Sequence, residues 1–162
     1  RARRGPPLVA LSGRGRCRVC SRRRDAGALP TKAMKITGTF EISLQPEPPF
    51  DDEAGVKLAR ARGEKTFTGP LSATSVVHMT SCVGPIPKSA GYVAIERVRG
   101  SLDGKQGTFV LQHLGVMSER GGRRLEVSVV PDSGTGALAG LRGTMEIRIE
   151  AGQHYYDFDY EL

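Results

Sequence analysis

The chain has 162 residues, 38% of them hydrophobic, and a formal net charge of +7. That charge is uneven: residues 1–33 carry nine Arg and Lys32 against Asp25 alone, a net +9, which leaves residues 34–162 at −2. A near-neutral body of this length is enough for one domain with its own core, and its charge excludes a broad basic surface for nucleic acid.

Residues 1–33 show neither helical nor strand periodicity and are rich in Arg, Gly, Ala and Pro, so they read as a disordered tail. Clustered Arg would suit a nucleic-acid arm or an organelle presequence. The preferred reading is that translation begins at Met34, because a strand pattern starts there abruptly. Nucleic acid is thus expected as a partner only through this tail. Cys17 and Cys20 form a C-x-x-C without a second ligand pair or an activating helix, and are assigned to chance. The Leu8-Val9-Ala10-Leu11 run is too short for a secretory signal, and no apolar run approaches the roughly 18 residues of a membrane helix. With Cys82 alone in the body, a reducing cytoplasm is the expected compartment.

In chain order, Lys35 to Leu44 alternates, with Ile36, Gly38, Phe40, Ile42 and Leu44 on one side. The breaker-rich QPEPPFDDEAG predicts a loop of about a dozen residues, with Phe50 placed to cover a barrel mouth. Val56 to Thr68 is a second strand, bent near Gly63, and Gly69-Pro70 is a turn. Leu71 to Cys82 is a third, with Leu71, Ala73, Ser75, Val77 and Met79 on one face.

Tyr92 to Val116 then forms a hairpin. Asp103-Gly104 between alternating runs favours a two-residue loop at positive φ, which sets Leu102 opposite Lys105, Glu96 opposite Leu111, Ala94 opposite His113 and Tyr92 opposite Gly115. Tyr92, Ala94, Glu96 and Val98 share a face with Phe109, Leu111, His113 and Gly115. Glu96 and His113 become diagonal neighbours, roughly 7 Å apart at the backbone; a one-residue bulge would separate them.

Arg123 to Val130, Gly143 to Glu150 and His154 to Leu162 complete eight strands joined mainly by short turns. The architecture expected is an all-β, eight-stranded antiparallel up-and-down barrel over residues 34–162, with a sandwich as second choice. A barrel of this size can hold one small ligand.

The runs YVAIERVRGSLDGKQGTFVLQHLG, DSGTGALAGLRG and HYYDFDYEL resemble a bacterial domain-of-unknown-function family, DUF3224. The resemblance spans Met34 to Leu162 and implies an allene-oxide-cyclase-like barrel; it brings no established activity. Plant cyclases and dirigent-type proteins of similar fold shape reactive intermediates in a barrel cavity, an analogy of fold alone.

Gly134, Gly136 and Gly140 have no full helix after them and read as a tight loop. No cofactor is expected. Metal binding by His78, His113 and Glu96 is rejected for want of a compact ligand set, and Cys82 lacks an activating base. Tyr156, Phe158 and Tyr160 read as core. The candidate ligand-binding residues are Glu96, His113, Tyr92, Phe109 and Leu111, with Glu96 and His113 the catalytic candidates should there be chemistry. An apolar surround is expected to raise the carboxylate pKa towards neutrality. Three functions follow: a barrel binding a small, partly apolar molecule; an isomerase or cyclase-like enzyme using the pair for proton transfer; or an interaction module with a filled barrel. The opposite face, with Val93, Ile95, Val110, Leu114 and Val116, is too apolar for bulk water and predicts a homo-oligomer.

Overall fold

A computed structural model describes residues 32–162; the tail reading and the Cys17/Cys20 pair lie outside the described residues. The strands are β1 (Met34–Pro46), β2 (Asp51–Glu53), β3 (Val56–Thr68), β4 (Leu71–Val83), β5 (Ala90–Leu102), β6 (Lys105–Ser118), β7 (Gly122–Val129), β8 (Thr135–Gly136), β9 (Arg142–Glu150) and β10 (Gln153–Glu161). Eight long strands form an antiparallel meander, and β1 closes it by serving two neighbours. Its first half pairs with β10, from Met34 opposite Tyr160 to Phe40 opposite His154, and its second half with β3, from Thr39 opposite Thr68 to Pro46 opposite Ala61. The ring is completed between β7 and β9 by the single pairing of Ser128 with Thr144. No helix among the described residues is long and apolar enough to cross a membrane.

The central hairpin has the register its turn dictates. Asp103 and Gly104 both take positive φ, 47° and 79°, and Leu102 pairs with Lys105. Tyr92 opposite Gly115, Ala94 opposite His113 and Glu96 opposite Leu111 follow without a bulge. Asp103 is fixed further: its N–H donates to the Pro70 carbonyl at 2.9 Å, and its carboxylate accepts from the Tyr160 hydroxyl at 2.5 Å.

Two connections differ from expectation. β1 runs on to Pro46, and β2 forms a small hairpin with β3 around Ala54-Gly55, so the predicted dozen-residue loop is largely paired. Phe50 lies under the Arg60 guanidinium, 4.9 Å from its ring centroid, on the outer side and away from the cavity lining. The Gly-rich segment after β7 contains no helix; β8 continues the ladder on β6 at Gly107 and Thr108 where β7 ends. That segment then buries Leu138 and Leu141 almost completely.

The barrel is filled at one end only. At the end that holds the 69–70 and 103–104 turns, Phe67, Leu71, Val98, Leu102, Phe109, Phe158 and Tyr160 pack with Leu138 and Leu141. Phe158 stacks between Phe109 and Tyr160, at centroid distances of 6.0 and 5.2 Å. Towards the other end the inward residues of β1 become exposed, Ile42 to 37% and Leu44 to 48%. These two continue the inward phase of Ile36 and Phe40, so their exposure marks a mouth.

Candidate functional site

Four strands each turn one polar side chain inward where the filled end stops. On β3, Lys65 is in phase with the buried Phe67; on β4, Ser75 is in phase with Ala73 and Val77. β5 contributes Glu96 and β6 contributes His113. All four are buried, Glu96 completely. The Glu96 carboxylate accepts from Ser75 Oγ at 2.5 Å on one oxygen, and from Lys65 Nζ at 2.7 Å and His113 Nε2 at 2.9 Å on the other. Lys65 reaches across β4 to do so, its ammonium 4.9 Å from the Phe40 ring centroid and 5.8 Å from that of Phe67.

Burial pushes the Glu96 pKa up, but hydrogen bonds from His113, Lys65 and Ser75 and the charge of Lys65 outweigh it and bring it down to about 2. This corrects the expectation of a carboxyl raised towards neutrality. An apolar surround alone would raise it; the buried ammonium reverses the sign. An ionised Glu96 can only accept, so His113 carries its proton on Nε2, and when the imidazole is neutral Nδ1 is the acceptor.

Above this network lies a cavity of about 220 Å³. Its wall is apolar, with Ile42, Leu44, Val77, Met79, Leu125, Ile147 and Ile149; Lys65 and His113 reach it at the floor, and Tyr92, Arg123 and His154 bring the remaining polar groups. The volume is smaller than the roughly 300–1,000 Å³ of typical drug-sized ligand sites. Tyr92 stands nearest the mouth on β5, its ring over Gly115: a Cβ added there would lie 2.2 Å from Tyr92 Cε1. Burial raises the Tyr92 pKa, Arg123 lowers it and Glu96 raises it, so the hydroxyl stays a donor.

Of the residues the sequence proposed, the structure brings Glu96 and His113 into contact and puts Tyr92 on the cavity wall. Phe109 and Leu111 do not line it: Leu111 opposes Glu96 at the level of the floor and Phe109 lies one step deeper, both fully packed. His78 points to the outer face, away from His113. Lys65 and Ser75 were the residues sequence reasoning missed. Period-two phasing with Phe67 and Ala73 was the signal for both. A second depression, of about 470 Å³, lies on the outside of β4–β7 over His78, Ile95, Gln112 and Leu114; His113 also borders it, but Lys65, Ser75 and Glu96 do not.

A family model described as "Protein of unknown function (DUF3224)" matches residues 36–160. The chain is similar to a crystal structure of a protein with unknown function from the DUF3224 family of Shewanella oneidensis MR-1, at 1.84 Å resolution. The two are 48% identical with a TM-score of 0.75, and the match covers 80% of this chain and 97% of that one. No curated protein matches.

Proposed function

This chain belongs to the DUF3224 family, and we propose that it binds a small, partly apolar molecule in the open end of its barrel, oriented by His113, Glu96 and Tyr92. The observation that carries this reading is the change of filling along the barrel: aromatic packing at one end, and above Lys65, Glu96 and His113 an apolar-walled space. Unfilled apolar space costs stability, and so does a buried ion pair compared with packed hydrocarbon. Their coincidence supports a binding role. Glu96 sets the His113 tautomer, His113 Nδ1 offers an acceptor, and Tyr92 offers a donor nearer the mouth.

Proton transfer from or to Glu96 has less support, because a carboxylate held near pKa 2 is a weak base at neutral pH. An isomerase reading would have to use His113. The outer face of the hairpin, where Val93 and Leu114 oppose each other with 55% and 46% of their surface exposed, supports association with a second copy.

The test is thermal unfolding in the presence of a panel of small aliphatic and aromatic alcohols, ketones and acids. The reading expects at least one compound to raise the Tm of the wild type and to lose most of that effect in His113→Ala. An equal shift in His113→Ala contradicts it.

A further inference from the structure

Resting on the reading that the open end takes a small molecule, we infer that this molecule is an amphipathic anion, a small carboxylate held at the rim by Arg123 and Tyr92 with its apolar body on the cavity wall. The charged and polar side chains that line the cavity are Lys65, Tyr92, His113, Arg123 and His154, and no acidic side chain is among them. Glu96, the acid beneath, has no exposed surface, and both its oxygens accept from neighbours. A negative ligand therefore meets donors and no competing carboxylate.

Charge balance decides where the anion sits. Lys65 is already matched by Glu96 at 2.7 Å, so a carboxylate brought to the floor would put two anions on one cation in a nearly dry place. Arg123 is different. It is in phase with Leu125, Val127 and Val129 on β7 and so occupies the inward face at its last step before the mouth. No ion pair among the described residues uses it, whereas the adjacent Arg124 pairs with Glu126. Arg123 and Tyr92 both line the cavity and both line the small crevice beside Gly115, so the two donors share one region of the rim.

A guanidinium offers paired N–H groups that match the two oxygens of a carboxylate, and Tyr92 adds a hydroxyl donor. Anion binding at the rim also avoids the cost of carrying a bare charge into the barrel. Tyr92 and Glu96 are four residues apart on β5, roughly 13 Å of strand. The wall between them is mainly aliphatic, from Val77, Met79, Leu125 and Ile147, with His113 opposite Ala94. The geometry thus sets a charged head at the mouth and an apolar body of limited length below it.

The test is calorimetric titration of the full chain with octanoate, 1-octanol and octylammonium, probes of one length that differ in head charge. Octanoate is expected to bind about tenfold tighter than octanol, as a charge-assisted contact predicts, with octylammonium weakest. Arg123→Gln is expected to bring octanoate to the level of octanol and to leave octanol unchanged, while unfolding at the wild-type Tm. Octanol binding with no preference for octanoate overturns this inference and leaves the small-molecule reading standing. No binding of any of the three overturns both. A tenfold preference that survives Arg123→Gln overturns the placement at the rim.

Discussion

Lys65 on β3 and Glu96 on β5 meet inside the barrel across the intervening β4, ammonium to carboxylate at 2.7 Å, with 5% and 0% of their side chains exposed. Neither strand neighbours the other in the sheet, so the two side chains together span two strand spacings, roughly 10 Å. The pair forms the floor between packed core and cavity, and it sets the protonation state of the site.

Removing one member leaves the other charge buried. Lys65→Met is expected to cost about 3–5 kcal/mol in urea denaturation. The double variant Lys65→Met/Glu96→Leu, which removes both charges and keeps the volume, is expected to recover most of that loss. A double variant no more stable than Lys65→Met would count against an electrostatic origin.

The pH dependence has a defined sign. Glu96 titrates at about 2 in the fold against an ordinary 4.5, so its stabilisation is complete above about 4.5 and is lost as the pH falls towards 2. The full effect is on the order of 3 kcal/mol. Denaturation midpoints measured across this window should fall more steeply for the wild type than for Glu96→Gln. Parallel curves would mean that Glu96 is not held ionised.

Gly115 is where the Tyr92 ring rests, and a Cβ there meets the ring at 2.2 Å. Gly115→Ala is expected to cost about 1–3 kcal/mol through overpacking. In a Tyr92→Ala background the same change should cost much less, a coupling that a double-mutant cycle reads directly.

Self-association is checked by light scattering at micromolar concentration. The account expects an oligomer, converted to monomer by Leu114→Lys on the exposed face. A monomeric wild type would remove the outer hairpin face as an interface.

The barrel and its central register were legible because Asp103-Gly104 fixes a turn, and a turn fixes every opposed pair beyond it. That arithmetic gives the face of a side chain but not its depth along the barrel. Phe109 and Leu111 therefore shared the predicted face of Glu96 while belonging to the filled end. Lys65 was passed over because an isolated lysine in a strand is ordinarily on the wet side. Its phase with Phe67 said otherwise, but its partner comes from two strands away, a contact that no single hairpin register specifies. The sign of the Glu96 shift was lost with it. Leu138 and Leu141 sit in a glycine-rich turn segment without periodicity, which gives no sign that the segment plugs the barrel.

The central claim, that the open end above Lys65 and Glu96 receives a small molecule, is tested most directly by the methyl resonances of the methionines. Met79 lines the cavity, whereas Met145 is buried in the packed core. In a titration of ¹³C-methyl-methionine-labelled protein with 1-octanol, the account predicts a saturable shift of Met79 with Met145 unmoved. A Met79 resonance that stays fixed, or one that moves only together with Met145, would contradict it.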